Sequence, residues 1–471
     1  MKKDMQKSKD QFLTLKEAAK FVGKSVHNVS YLITYGKINK YNSAGKVVKK
    51  GIKGLVFVSK NELEQYTKSW QKQLAQRRKS LNIKDQTLAF SQLSERERTK
   101  HIHRLHPYMG KFIPQLVEYY LKKNFTKKDI ILDPFMGSGT TLAVSSELGL
   151  RSVGIEISPF NCMISNAKLQ DYDIVKVSKE IEEIYNQTRK FSDSWTDSTP
   201  VGDSSISKSE YLNKWFAKRT LAELAFYKKK IPDYQHQDIL KIILTRAARS
   251  SRLVHHYDIA TPTKPVTKPY KCRKHFTATP GSKKIHRMCH PLDRAIGKIK
   301  LYTFDTTKRI ETFSKLRKSS DYLVLQGDSR FINLTKEVGV RWKNTSINGI
   351  FTSPPYLGQI DYHGQHQYAY ELLKIPTEIE NEIGRKKLGK GKQAQEEYQK
   401  GISAVFANVS KALHKDAKIF IVANDKANLY EKIIKDAGMR QVSFKERPVE
   451  ARAQGDKTPY SEKIFECALE N

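Results

Sequence analysis

Apolar and polar positions follow two different periods along this chain, and the places where the period changes mark its elements. Short, mostly apolar runs bounded by turn formers read as buried strands: Ile130-Ile131-Leu132, Ser152 to Ser158, a third run at Val324-Leu325, Ile347 to Phe351, and Lys418 to Asn424. Gln441 to Lys445 and Lys463 to Leu469 read as a closing antiparallel pair. Between these runs, Tyr211 to Lys230 and Gln237 to Ala248 carry apolar residues three and four apart, the spacing of a helix that buries one face. Leu142 to Leu148 is a largely apolar stretch that follows a glycine turn and also reads as helix. Strands alternating with helices predict an α/β fold on a mostly parallel sheet. The stretch 176–315 is far longer than one helical crossover needs, so it reads as a large, mostly helical insert.

The first residues form a pattern of their own. Leu13 to Val22 predicts an amphipathic helix with Thr14 at its cap and Glu17 three residues on, the capping-box spacing. Gly23 ends it. Ser25 caps a second helix to about Ile33, which Gly36 stops, and Val47 to Val58 suggests two short strands. Asn61 to Tyr66 reads as a final helical turn. Helix, glycine turn, helix and hairpin is the layout of a winged helix-turn-helix, and it resembles the DNA-binding modules of excisionases and mercury-resistance regulators. That resemblance places Ser25, His27, Asn28, Ser30 and Tyr31 near a recognition helix. The predicted organisation is therefore a module over 1–68, a basic linker or phosphate-contacting helix over 69–95, a catalytic domain over 96–175 and 316–471, and an inserted DNA-reading region over 176–315.

Charge narrows the partners. The 471 residues include 85 Lys plus Arg against 49 Asp plus Glu, a formal net charge of +36. The excess is spread along the chain, which favours a polyanion and, through phosphate contacts, DNA. The four cysteines are scattered, which fits a reducing compartment and not a disulfide framework. No run approaches about 18 apolar residues, and no apolar signal core follows the basic start. The expectation is a cytoplasmic, prokaryotic protein.

Two segments carry the chemistry. After the first strand comes Asp133-Pro134-Phe135-Met136-Gly137-Ser138-Gly139-Thr140-Thr141. Gly137 and Gly139 allow positive φ and close approach of a ligand to the backbone, and Thr140 and Thr141 sit at a helix N-terminus with N–H groups to offer. A dinucleotide cradle wants a third glycine where Leu142 stands, so this turn suits an amino-acid carboxylate and a ribose rather than a pyrophosphate. Glu156, near the end of the second strand, is placed to accept two ribose hydroxyls. The second segment is Thr352-Ser353-Pro354-Pro355-Tyr356. Two prolines fix φ and remove two donors. A hydroxyl, carbonyls without strand partners and an aromatic face then stand together, as is needed to hold a planar base by its amino group.

Together these segments resemble the DNA amino-methyltransferases, which methylate cytosine N4 or adenine N6. The resemblance covers roughly 95–175 and 315–471. It implies a Rossmann-like, seven-stranded class I methyltransferase domain and S-adenosyl-L-methionine as cofactor. It implies that Tyr108, Lys111 and Phe112, in His106 to Pro114, pack on the cofactor's methionine end. Asp133, Pro134, Phe135, Gly137, Gly139, Thr140, Thr141, Glu156 and Ser158 would surround it, and Asp328 would reach the adenine amino group. Ser353, Pro354, Pro355 and Tyr356 are the implied catalytic set.

Serine before the two prolines resembles the cytosine-N4 members, so the expected activity is site-specific methylation of cytosine N4 in double-stranded DNA. The expected setting is a restriction–modification system with an endonuclease encoded nearby, not necessarily in contact. Adenine N6 on the same scaffold is the alternative; an RNA methyltransferase or a DNA-binding regulator is a more distant one. Carbon-5 methylation would need a cysteine in the catalytic turn, and none is there.

The insert turns irregular and basic from Thr261 to Arg294. Lys264, Lys268, Lys271, Arg273, Lys274, Lys283, Lys284 and Arg287 are candidate phosphate contacts as a group. Cys272, His275, His286 and Cys289 have the C-x2-H and H-x2-C spacing of a zinc knuckle, with His290 as an alternative ligand. The resembled family does not generally require zinc, so no metal is the expectation.

Overall fold

The computed structural model describes residues 11–23, 26–34, 37–43, 45–48, 56–80, 87–90, 93, 95–111, 113–260, 262–272, 285, 287–343, 345–449 and 460–470. It divides into two units, one of residues 1–83 with 268–290, the other of 84–267 with 291–471.

In the first unit, strand Phe12–Thr14 pairs antiparallel with Phe57–Ser59. Helix Leu15–Phe21 opens on a complete capping box: Thr14 Oγ1 accepts from the Glu17 N–H, and the Glu17 carboxylate accepts from the Thr14 N–H. Helix Val26–Thr34 follows, and Tyr41 bridges to both Val47 and Phe57. Ser25 and Gly36 lie outside the described residues. A small core of Ala18, Ala19, Val29, Leu32, Ile38, Val58 and Leu63 holds these pieces together. The single turn expected at Asn61–Tyr66 is instead a helix over Lys60–Ser80. Its sequence is rich in Glu, Gln, Lys and Arg and has no glycine or proline, so nothing stops it after one turn.

The second unit is built on seven strands: β1 (Ile130–Asp133), β2 (Arg151–Glu156), β3 (Tyr322–Gln326), β4 (Ile347–Thr352), β5 (Leu413–Ala423), β6 (Met439–Val449) and β7 (Tyr460–Leu469). Their order is β3-β2-β1-β4-β5-β7-β6. The first five are parallel, and β7 runs antiparallel between β5 and β6. β1 is buried at every position, as a central parallel strand covered on both faces must be. On one face Leu132, Val153, Ile155, Ile350 and Ile419 pack against helix α8 (Lys392–Ser410) and helix α9 (Tyr430–Asp436) through Phe406, Ile433 and their neighbours. On the other, Ile131, Phe351 and Phe420 meet Leu116, Val117 and Leu121 of helix α1 (Pro114–Asn124) and Val144 of helix α2 (Thr140–Leu148).

The inserted helices α4 (Ile174–Asp193), α5 (Lys218–Lys230), α6 (Gln237–Ser251) and α7 (Ile296–Leu316) do not form a separate lobe. Ile181, Leu224, Ile243, Ile299 and Phe313 share one core with Phe160 and Ile164 of helix α3 (Pro159–Leu169), beside β2. The fully buried Glu223 carboxylate accepts from the Ala295 and Ile296 N–H groups at 2.6 and 2.8 Å and from Ser192 Oγ at 2.6 Å. Its charge thus sits at the positive end of α7. Upstream, the Val266 N–H donates to the Leu253 carbonyl at 2.8 Å.

Candidate active site

The sheet reverses its strand order between β1 and β4, and the cleft lies at the carboxyl ends of these strands, where such a reversal leaves room for a ligand. The cleft is lined by residues that include Tyr108, Lys111, Glu156, Asp328, Ser353 and Tyr362. The loop after β1 is fixed by its own backbone. The Met136 N–H donates to the Ile155 carbonyl at 3.0 Å and the Gly139 N–H to the Met136 carbonyl at 2.9 Å. Gly137 and Gly139 are both left-handed, with φ of 52° and 71°. A Cβ on Gly137 would stand 3.2 Å from the Tyr108 hydroxyl, so the missing side chain keeps the cleft open. A Cβ on Gly139 would stand 2.7 Å from Ser165 Oγ, so that glycine serves the approach of α2 to α3 and not the cleft. The buried Lys168 amino group donates to the Ser138 carbonyl and secures the turn from behind.

Glu156 is pinned by the chain it faces. One carboxylate oxygen accepts from the Gly137 N–H at 2.8 Å, the other from the Ser158 N–H at 2.9 Å. Desolvation still dominates and pushes its pKa up from 4.5 to about 7, against these hydrogen bonds. Asp328, across the cleft, is gripped by the Arg330 guanidinium at 3.0 Å to each oxygen. Helix α2 has no side-chain cap, which leaves its positive end to a ligand carboxylate.

Of the residues expected around the cofactor, Tyr108, Lys111, Pro134, Phe135, Gly137, Thr140, Glu156 and Asp328 line the cleft. Phe112 lies outside the described residues. Four expected residues stand behind the wall. Asp133 spends both oxygens inside the fold, accepting at 2.7 Å from Thr141 Oγ1 and from Thr352 Oγ1. It therefore ties the glycine turn to the catalytic turn. Burial raises its pKa to about 6. Thr141 is its partner, Gly139 packs on Ser165, and Ser158 caps α3 while pairing with the Tyr370 hydroxyl at 2.6 Å.

In the proline turn after β4, Ser353 and Pro355 line the cleft, and the Pro355 carbonyl accepts from the Tyr398 hydroxyl at 2.9 Å. Pro354 is buried. Tyr356 is anchored: its hydroxyl donates to Glu462 at 2.6 Å, and Glu462 is paired with the buried Arg447 at 2.9 Å. Tyr362, Asn381 and Glu382 also line the cleft, and no sequence motif marks them. Their segment has neither strand nor helix period. In the insert, the buried Cys272 and Cys289 sulfurs lie 3.5 Å apart, while His275 and His286 fall outside the described residues. Among the described residues, no helix is long and apolar enough to cross a membrane.

A sheet in this order, five parallel strands closed by an antiparallel seventh, with a glycine turn and an acidic strand end facing one cleft, is the architecture of a class I methyltransferase whose methyl donor is S-adenosylmethionine. The residues present suit that donor: a carboxylate for the ribose diol, a second acid across the cleft, and an uncapped helix end for its amino-acid part. The chain belongs to the DNA amino-methyltransferase family. Residues 3–167 match a family model described as DNA methylase. Over an alignment of 545 residues the chain is 42% identical to the type II methyltransferase M.MjaII of Methanocaldococcus jannaschii, covering 99% of this chain and 98% of that one. It is 27% identical to the type II methyltransferase M.MvaI of Kocuria varians over 37% of this chain and 38% of the other. It is 36% identical to M.BamHI of Bacillus amyloliquefaciens over 16% of this chain and 17% of the other. DNA is therefore its substrate.

Proposed function

We propose that the chain methylates cytosine N4 at a specific site in double-stranded DNA, as the modification enzyme of a restriction–modification system with its endonuclease encoded nearby. The observation that carries this reading is Ser353, which follows the buried end of β4 directly and lines the same cleft as Glu156 and Asp328. The type II relatives support the setting.

S-adenosylmethionine supplies an electrophilic methyl group on a sulfonium. The chain must hold the donor and present the base. Glu156 would accept the ribose hydroxyls, Asp328 the adenine amino group, and Tyr108 with Lys111 would flank the methionine end. A nucleobase amino group is a poor nucleophile because its lone pair is delocalised into the ring. The base must leave the duplex, at a cost of a few kcal/mol, to reach this cleft. There the Ser353 hydroxyl and the Pro354 carbonyl accept the amino hydrogens, and the ring of Tyr356, held by Glu462, stacks on the base. Positioning and fixed dipoles lower the barrier, and no covalent intermediate with the protein is needed. A groove lined by His363, Tyr370, Arg385 and Lys386 adjoins the cleft at Glu382 and offers a path for the base. The N-terminal unit and the basic segment of the insert supply DNA contacts.

Mass spectrometry of nucleosides from cells expressing the protein tests the reading. N4-methylcytosine is the expected product. N6-methyladenine would move the activity to adenine on the same scaffold, and methyl transfer to RNA alone would overturn the DNA-base assignment.

A further inference from the structure

His101, His103 and Glu147 form a cluster that plays no part in the chemistry above. Both imidazoles turn to one carboxylate oxygen: Glu147 Oε1 lies 3.2 Å from His101 Nε2 and 3.4 Å from His103 Nε2. None of these atoms makes a hydrogen bond. Both ring nitrogens of both histidines, and Glu147 Oε1, are buried and unpartnered, and His103 is fully buried. Three of these atoms, the two Nε2 and Glu147 Oε1, face one another, an arrangement that proteins avoid unless something lies between them.

The distances suit a metal better than protons. Ligand atoms about 2.0–2.1 Å from a tetrahedral zinc ion stand about 3.3 Å apart, which matches both carboxylate–imidazole separations. All three donor atoms lie within 4.8 Å of one another. The frame is rigid. Arg309 Nη1 holds the His101 carbonyl at 2.7 Å, Lys111 Nζ holds the His103 carbonyl at 2.6 Å, and His101 keeps a positive φ of 29°. The second Glu147 oxygen accepts from Lys100 at 3.1 Å, which orients the first. Two imidazoles and one carboxylate disfavour calcium or magnesium, which want several oxygen ligands, and favour a zinc-like ion.

We propose that His101, His103 and Glu147 bind a structural zinc ion. Glu147 closes helix α2, which begins at the glycine turn, and the two histidines precede Tyr108 on the cleft wall. The ion would fasten these two walls of the cofactor cleft together.

The test is metal content and X-ray absorption at the zinc edge on the full-length protein, dialysed against micromolar zinc. The expected result is about one equivalent with nitrogen and oxygen neighbours and no sulfur. A Cys272→Ser/Cys289→Ser variant should retain it, while His103→Gln and Glu147→Gln should weaken binding at least tenfold. Failure of the parent protein to retain zinc, sulfur in its coordination sphere, or full retention by both His103→Gln and Glu147→Gln would overturn the assignment. The absorption spectrum needs no variant, so a misfolded His103→Gln leaves the proposal testable.

Discussion

Glu156→Gln separates what the cleft costs from what it binds. Without cofactor, the Glu156 carboxylate is half-buried and its pKa stands at about 7 instead of 4.5. A displacement of that size corresponds to about 3 kcal/mol working against the charged form. Because the folded pKa is raised, the folded state holds the proton more tightly between pH 4.5 and about 7. Stability from this group is therefore complete below 4.5 and is lost as pH rises through about 7. Glutamine removes the charge but gives up one of the two backbone hydrogen bonds, a loss of about 1 kcal/mol. The variant should thus exceed the parent by about 2 kcal/mol above pH 7 and lose that advantage near pH 5. Its cofactor affinity should fall by a factor of about 100 or more, since an amide offers a donor where the second ribose hydroxyl needs an acceptor. In the parent, affinity should weaken up to about tenfold per pH unit below 7, because binding requires the ionised carboxylate. Urea unfolding without cofactor from pH 5 to 8, with calorimetric titration of the cofactor, measures both effects. Parallel stability profiles for the two proteins, or unchanged cofactor affinity in the variant, would refute the reasoning.

Gly139→Ala should destabilise the second unit by about 1–3 kcal/mol, because the residue is left-handed and its methyl group meets Ser165; thermal unfolding reads this directly. Tyr356→Ala should lower turnover by more than about tenfold with DNA binding largely intact, since the ring serves the extruded base and not the phosphates, and equal turnover would remove the stacking assignment. Tyr356→Phe keeps the ring but loses the Glu462 contact, so its turnover should lie between the two. Deleting residues 1–80 should weaken DNA affinity and flatten its dependence on salt while sparing cofactor binding; loss of cofactor binding in a calorimetric titration would contradict the separate character of that unit.

The sequence was most legible where local chemistry and fold agree. The run Ile130 to Leu132 could only be a buried strand, and the glycines after it could only be a turn, so the cleft's floor was visible. Glu156 and Asp328 were legible for the same reason: Glu156 follows an apolar run directly, and Asp328 comes just past the end of another. Asp133 was not. An acid at a strand end reads alike whether it faces a ligand or, as here, ties two turns through Thr141 and Thr352. Ser158 misled similarly, because a helix cap and a ligand contact need the same hydroxyl. The anchor of Tyr356 is Glu462 on β7, a pairing that no local pattern encodes. The amphipathic spacing of α4 to α7 announced buried faces without saying against what, and those faces meet α3.

The Val266 and Glu223 anchors bear on how such an enzyme changes its target. One backbone bond at Val266 and one carboxylate at Ala295 fix where the basic segment leaves and rejoins the helices. Between these two fixed points the chain can lengthen, shorten or be exchanged at little entropic cost, since loop closure grows only slowly with length. Under the proposed role of this segment in contacting DNA, mutation there would rewrite the site that is read while the apparatus of methyl transfer is inherited intact. A new specificity need not be purchased with a weaker enzyme.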